Sequence, residues 1–301
     1  MKVTICICTF RRESLRETLK SLGAQALPQG CRIEIVVADN DETPSAEPLV
    51  AEAAAKVPHS VRYHHAPKRN ISIARNACLD AVEPDTEWVA FIDDDETARA
   101  NWLERLIAAA QTQSADVVFG PAVAVYPPGT PAWIKENDFH SNRPVHKGDV
   151  IETGYSSNVL MRWGHPAVRN ERFLLRLGRT GGEDVEYFFR LHRMGLKLAS
   201  AQDAIVYEPV EQKRLNTSWL MSRRFTMGRI YGFSAPAGGV SARIRLFAGG
   251  LIKAAYCGLR AIPAAVDRVA FARWGLRALF HLGVCHGCLS PPNKEVYGVD
   301  P

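Results

Sequence analysis

The sequence predicts an α/β protein built on a doubly wound, mostly parallel sheet flanked by helices. Three observations carry this expectation. The first half of the chain switches repeatedly between β-branched apolar runs and amphipathic helical runs. Strand, helix, strand, helix at this spacing is the pattern of right-handed crossovers onto a parallel sheet. Polar clusters sit at the ends of three predicted strands, Thr9 to Arg12, Asp39 to Asp41 and Asp93 to Glu96. Open sheets of this kind bind ligands beyond those carboxyl ends.

In chain order, residues 3–8 read as a buried strand and 13–22 as a helix with Leu15, Leu19 and Leu22 on one face. Residues 33–38 form a second strand that ends at Asp39-Asn40. The alanine-rich stretch 46–56 is helical, 61–65 is a short strand and 71–82 a helix. Residues 88–92 form a strand ending at Asp93, 102–110 a helix and 116–125 a further strand. The alternation stops beyond Tyr126, where Pro127, Pro128, Gly129 and Pro131 mark a loop. Residues 152–161 read as a strand, and 183–193 as a helix introduced by Gly181-Gly182. No internal repeat or low-complexity tract is present.

The chain of 301 residues is 47% hydrophobic and 23% charged, the proportions of a folded globular protein. Its length allows one large domain plus an appendage. The net charge of +5 is mild, but its distribution is uneven. From residue 212 to 284 there are 12 basic residues against one acid, Asp267, so the rest of the chain is net acidic. Residues 240–284 mix apolar side chains and Trp274 with regularly spaced arginines, and no stretch is long and apolar enough to span a bilayer. Basic amphipathic helices of this kind suit an anionic membrane surface, or they pack on the main domain with a solvated arginine face. No nucleic-acid module is recognisable, so nucleic acid is not expected as a partner.

Met1-Lys2 leads directly into a strand-like run, without the pattern of a signal peptide. The seven cysteines form no secreted framework. Cys285 and Cys288 make a lone CxxC, which without a second ligand pair is weak ground for zinc or redox chemistry. A cytoplasmic protein, peripheral on the membrane, is therefore expected.

Asp93, Asp94 and Asp95 place three carboxylates side by side after an apolar run. Their mutual repulsion is relieved by a divalent cation, and Mg²⁺ or Mn²⁺ prefers carboxylate and phosphate oxygens. A metal–diphosphate clamp follows, with a solvated acidic turn as the plain alternative. Asp39 is suited either to a base edge or ribose hydroxyl or to an ordinary Asx turn or helix cap. Glu183-Asp184 opens a helix, where acids complement the helix dipole; a carboxylate beside a glycine turn is equally suited to act as a general base. The turn after the first strand, Cys8-Thr9-Phe10-Arg11-Arg12, lacks a GxGxxG pattern, which disfavours a dinucleotide-binding dehydrogenase. That turn also lacks the glycine a nucleotidyltransferase loop would need.

Residues 4–12 (TICICTFRR), 36–40 (VVADN), 91–96 (FIDDDE) and 182–186 (GEDVE) occur in that order. Together they resemble the motifs of family 2 glycosyltransferases, the inverting GT-A group, and within it bacterial exopolysaccharide transferases of the succinoglycan type. The resemblance covers about residues 1–210, leaving 211–301 as a basic helical extension. It implies a GT-A, Rossmann-like sheet and transfer of a sugar, glucose by family weight, from a UDP-sugar. The implied acceptor is a hydroxyl on a saccharide or a polyprenyl-linked saccharide. Position by position, it implies that Thr9 and Asp39 contact the uracil and ribose of the donor, with Arg11 nearby, and that Arg69 and Arg75 lie across the donor. Asp93 and Asp95 would be the ends of a DXD motif, with Asp94 between them and the metal held at Asp93 and Asp95. Asp184 would be the catalytic base, supported by Glu183, and Thr153, Gly154 and Asn158 would line the sugar pocket. Unlike processive members, the chain has no Gln-x-x-Arg-Trp; the corresponding stretch runs from Ser218 to Phe225. A single addition is therefore expected. The non-enzymatic alternative is a nucleotide-sugar-binding regulator or scaffold of a polysaccharide assembly complex.

Overall fold

The structure is a computed structural model that describes residues 1–144, 146–292, 295 and 297. The chain begins with the predicted alternation: β1 (Lys2–Thr9), α1 (Leu15–Gly23), β2 (Arg32–Asp39), α2 (Glu47–Ala54), β3 (Ser60–His65), α3 (Ile71–Asp80) and β4 (Trp88–Ile92). A two-residue strand, β5 (Thr97–Ala98), leads to α4 (Trp102–Thr112), β6 (Val117–Phe119) and β7 (Ala122–Val125). Short helices α5 (Ala132–Lys135) and α6 (Pro166–Asn170) bracket β8 (Asn158–Arg162), and α7 (Glu183–Arg193) precedes β9 (Leu198–Ser200) and β10 (Val206–Pro209).

Seven strands form one sheet in the order β3-β2-β1-β4-β8-β6-β9. β1, β2, β3 and β4 are mutually parallel where they pair, and only β8 runs against its neighbours. The strands are buried on both faces, which is why they read as unbroken apolar runs rather than as an alternation. Val3, Ile5 and Ile7 of β1 point to a core shared with Leu15, Leu19 and Leu22 of α1 and Trp102, Leu103 and Leu106 of α4. Cys6, Val36 and Ala38 point the other way, into a core with Ala74, Cys78 and Leu79 of α3 and Tyr187, Phe188 and Leu191 of α7. The register sets Thr9 beside Asp39 and Asp39 beside His65, so the strand ends form one level rim.

Two expected strands differ from the reading above. The run 116–125 divides at Gly120-Pro121: β6 stays in the main sheet, while β7 joins a small sheet of order β5-β10-β7. Gly120 permits the division, because a Cβ there would overlap the Ala204 carbonyl and the Asn158 amide. The strand expected at 152–161 begins only at Asn158, and 152–157 run irregularly past the site.

The C-terminal extension is helical, as expected: α8 (Thr217–Ser234), α9 (Gly239–Ala261) and α10 (Arg268–Leu289). α8 and α10 meet backbone to backbone. A Cβ on Gly228 or Gly232 would strike the carbonyls of Phe280 or Val284, and one on Gly283 or Gly287 those of Phe225 or Arg229. Trp133, Ile134, Val210, Leu215, Leu220 and Leu276 tie this helical unit to the sheet domain. Cys285 and Cys288 are buried within it, their thiols directed at the Phe247 and Gly232 carbonyls. Among the described residues no helix is long and apolar enough to cross a membrane.

Candidate active site

The rim of the parallel strands gathers most of the predicted residues into one acidic cleft. Thr9, the last residue of β1, donates its hydroxyl to Asp94 Oδ2 at 2.7 Å. Asp93 begins a tight turn after β4, and its amide donates to Glu96 Oε2 at 3.0 Å. Asp95 stands at the mouth of the cleft, 3.4 Å from Arg12, which also reaches Glu211 at 3.4 Å. Burial, with the neighbouring charges of Asp95 and Asp94, raises the Asp93 carboxyl to about 7. Burial and Asp95 raise Asp94 to about 7 as well, against the stabilising Thr9 hydroxyl. Glu96 is driven well above the ordinary carboxylate range by burial, Asp93 and Glu208. Burial and Asp95 likewise raise Glu208, at the end of β10.

Opposite this cluster, Gly181 and Gly182 adopt left-handed φ values of 78° and 93°. That geometry turns the chain abruptly into α7, so that Glu183 and Asp184 occupy its first turn. A side chain at Gly182 would also overlap Ile230 of α8. Glu183 is buried and ion-paired with Arg75 of α3, while its Oε2 is buried without a protein partner. Asp184 Oδ1 accepts from the Val185 amide at 2.7 Å. Burial alone would lower the Arg75 guanidinium, but Glu183, Asp184 and Asp93 together raise it. Arg75 thus stands between the strand-end acids and the helix-start acids.

The segment before Arg75 explains this placement. Asn70 caps α3 by accepting from the amides of Ser72 and Ile73, and its own amide donates to the Leu175 carbonyl at 2.9 Å. Asn76 and Phe173 exchange bonds of 2.8 and 2.9 Å. The chain that leads into Gly181-Gly182 is therefore stitched to α3. Sequence reasoning missed these clamps, although the two asparagines were visible on either side of a helical run.

At the outer edge, Arg11 makes a two-pronged ion pair with Asp41, at 2.8 and 3.0 Å. Arg11 and Arg69 both lie over the Phe10 ring, at 5.3 and 5.7 Å, and both have left-handed backbones.

Two predicted site residues are bonded into the fold. Asp39 is 0% exposed: Oδ1 accepts from the Asp41 amide, and Oδ2 from the Ala46 amide and the Tyr63 hydroxyl. These bonds are those of the Asx-turn and helix-start alternative, and they occupy three of the carboxylate's roughly four acceptor sites. Asn158 is 2% exposed. Its amide donates to the Pro121 and Ala204 carbonyls, and its oxygen accepts from the Trp102 indole at 2.8 Å. It locks β8 to the divided strand. Gly154 packs on the Phe119 ring, and Thr153 bonds the Val185 carbonyl at 2.8 Å, next to Asp184. Glu96, Glu208 and Arg12 are the cleft residues that the reading of single motifs underweighted.

Among the described residues no three His, Cys, Asp or Glu side chains converge as a ready cage for an ion. Closely set, charge-repelling carboxylates instead fit a hard divalent cation that takes one or two of them and completes its shell with phosphate oxygens.

Residues 4–174 match glycosyl transferase family 2. The chain belongs to that family. It is 40% identical over 303 residues to the succinoglycan biosynthesis protein ExoM of Rhizobium meliloti, an alignment covering 99% of this chain and 96% of the relative. The fold resembles the mannosyltransferase PcManGT of Pyrobaculum calidifontis in complex with GDP-Man and Mn²⁺, with a TM-score of 0.63 at 16% identity over 94% of this chain and 85% of that one. It also resembles S. aureus TarS 1-349 in complex with UDP, with a TM-score of 0.54 at 18% identity, covering 94% and 90%. The expected GT-A architecture with a basic helical extension is therefore the observed one, and the chain is a glycosyltransferase of family 2.

Proposed function

We propose that this family 2 glycosyltransferase moves a sugar, glucose by family weight, with inversion from a UDP-sugar to an acceptor hydroxyl on a lipid-linked or cell-surface polysaccharide precursor. The observation that carries the reading is the convergence of Asp93–Asp95 and Glu183-Asp184 on one cleft, with Arg75 between them. ExoM, named for succinoglycan biosynthesis, supports an exopolysaccharide role by its full-length similarity.

In this reading the donor lies along the strand ends. Thr9 and Phe10 face the nucleoside, and Asp39 acts indirectly by fixing the turn after β2. Arg11 and Arg69 flank the diphosphate edge, and Arg223 of α8 approaches from the side of Glu208. Asp93 and Asp95 would hold Mn²⁺ or Mg²⁺, which supplies positive charge to the departing diphosphate. Asp184 takes the proton from the acceptor oxygen as that oxygen attacks the anomeric carbon from the face opposite the leaving group. Glu183, held by Arg75, keeps the first turn of α7 rigid so that the Asp184 carboxylate stays aimed. Residues 211–301 form the docking part. The outer face of α9 and the turn after it expose Val240, Ile244, Ile252, Leu259, Ile262 and Val266, interleaved with Arg245, Lys253 and Arg260. Apolar side chains ringed by cations suit the anionic cytoplasmic face of a membrane, where a polyprenyl-linked acceptor would lie.

The test is UDP release from a panel of UDP-sugars with Mn²⁺ or Mg²⁺, for the wild type, Asp95→Ala and Asp184→Asn. Release from one donor is expected, lost in Asp95→Ala and with chelator. In Asp184→Asn it should fall by about 10²–10⁴-fold while donor binding persists. Full turnover by Asp184→Asn, or activity that survives exhaustive chelation, would sink the corresponding assignment. Donor binding without turnover on any acceptor would favour the scaffold alternative.

A further inference from the structure

The C-terminal helical arm carries a concentration of side chains that the cleft does not use. α9 and α10 run antiparallel, joined by the turn at 263–266. Lys253, Tyr256 and Arg260 stand at i, i+3 and i+7 on α9, and Trp274, Arg277 and His281 at the same spacing on α10, so each set lies along one helix face. The two faces meet in a seam. The Tyr256 and Trp274 rings pack edge to face with centroids 5.8 Å apart. The Arg260 and Arg277 guanidiniums lie 5.3 and 6.0 Å from the centroid of that same indole. At the other end of the seam, burial lowers His281 below its ordinary value, and the nearby charges of Lys253 and Arg277 lower it further. Lys253, Tyr256, Arg260 and Arg277 are exposed, and Trp274 and His281 are half-buried.

The seam holds positive charge without a countercharge. Among the described residues no carboxylate forms an ion pair with Lys253, Arg260 or Arg277. The one acid between residues 212 and 284, Asp267, is committed to the start of α10, where it accepts from the Val269 and Ala270 amides. Like charges gathered on one face repel, and a bound anion relieves that repulsion. Two guanidiniums set against one indole are also oriented in advance, so less freedom is lost when they take phosphate oxygens. Ile252, Leu259 and Phe271 are exposed alongside, which suits an anion that brings hydrocarbon with it.

We propose that the α9–α10 seam is a seat for the phosphate of an anionic phospholipid, held by Arg260 and Arg277, with Trp274 as the platform and Lys253 at the edge. The inference rests on the reading of residues 211–301 as the docking part and deepens it. Diffuse attraction to a charged surface becomes a saturable contact at a named place, which fixes the side of the hairpin that faces the bilayer.

The experiment uses the full chain and dihexanoyl phosphatidylglycerol below its micelle concentration, which presents one headgroup without the potential of a membrane surface. The His281 ring, assigned with His281→Gln, is followed by NMR across pH with and without the lipid. A phosphate in the seam favours the charged imidazole, so the His281 pKa should rise saturably, by about one unit. Arg260→Gln/Arg277→Gln should weaken the lipid about tenfold or more. Trp274→Leu leaves the net charge unchanged and should still weaken it about threefold. A melting curve for each variant confirms that the fold is retained. Dihexanoyl phosphatidylcholine, whose phosphate carries its own cation, should leave His281 unmoved, and inorganic phosphate should bind more weakly than phosphatidylglycerol. An unmoved His281 with phosphatidylglycerol, in protein that still sediments with phosphatidylglycerol vesicles, would overturn the seat and leave the docking reading intact. Inorganic phosphate binding as tightly as the lipid would overturn the lipid as occupant. Wild type that sediments with no vesicle would overturn the docking reading and the seat together.

Discussion

The sheet domain and the C-terminal helical unit bury their surfaces by opposite means. In β1, β2 and β4 the backbones are held apart at hydrogen-bonding distance, and large side chains fill both faces. Between α8 and α10 the side chains are removed instead, and Gly228, Gly232, Gly283 and Gly287 let the two backbones touch. The first strategy leaves polar residues exposed in register at the strand ends, where a ligand site can be assembled. The second builds a closely packed helical unit whose α9 carries exposed apolar and basic residues. In the proposed function chemistry belongs to one region and attachment to the other, and perturbations should separate them.

The largest effect on the sheet side should come from Arg75→Met. That change leaves the Glu183 carboxylate buried without its partner, and breaking a buried pair from one side costs about 3–5 kcal/mol. Urea denaturation should show the loss, and Arg75→Met/Glu183→Gln should recover part of it. Full stability in the single mutant would mean that Glu183 is neutral in the folded chain and that Arg75 does not organise the cleft.

A related test uses acidity. In protein stripped with EDTA, Asp94 titrates near 7 instead of 3.8, because it is buried beside Asp95. Its folded-state affinity for protons is raised, so between about pH 4 and 7 the folded chain holds more protons than the unfolded one. Stability therefore falls as pH rises across that window. At about 1.4 kcal/mol per unit, the cost at pH 8 is at most about 4 kcal/mol. Asp94→Asn should flatten the melting temperature against pH, and an equally steep profile in that mutant would move the effect to other carboxyls.

How much of this was legible beforehand follows from the same contrast. Buried parallel strands are continuous apolar runs ending in polar residues, so the sheet, its rim and the acids at Asp93–Asp95 and Glu183-Asp184 could be read directly. The structural bonds of Asp39 and Asn158 were not legible, because a strand-end Asp or Asn looks the same whether or not neighbouring chain groups also bond it. Only the neighbouring chain decides, and the Tyr63 hydroxyl and the Ala204 carbonyl come from distant segments. The divided strand at Gly120-Pro121 was hidden because both halves are β-branched. The glycine contact was illegible for the opposite reason: glycine within a helix reads locally as a weakness, and its use appears only when the second helix arrives.

That contact supplies the next prediction. Gly228→Ala puts a methyl group onto the Phe280 carbonyl, where only backbone movement can make room. Overpacking of this kind costs about 1–3 kcal/mol. The loss should appear as earlier unfolding of α8–α10 in hydrogen exchange, while amides of β1, β2 and β4 keep their protection. Equal loss in both regions would show that arm and sheet unfold as one unit and would remove the separation drawn above.

The smallest effects belong to single charges on the arm. Arg245 and Lys253 are exposed on α9 beside Ile244 and Ile252, with Lys253 near enough to His281 of α10 to lower its pKa. If α9 lies on a membrane, each cation near an anionic surface contributes about 1 kcal/mol at low salt. Arg245→Gln and Lys253→Gln should then each weaken co-sedimentation with phosphatidylglycerol vesicles about fivefold. The pair should act multiplicatively, and raising the salt should erase the difference as the Debye length shrinks. UDP release from the donor with a soluble acceptor should be unchanged in both, because neither residue approaches the cleft. Val266→Ser, at the 96%-exposed turn between α9 and α10, separates the apolar contribution from the charge, since its effect should persist in high salt. Vesicle binding that ignores all three substitutions would place attachment outside α9. Impaired UDP release in the glutamine variants would mean that arm and cleft communicate, and the division between chemistry and attachment would fail at that point.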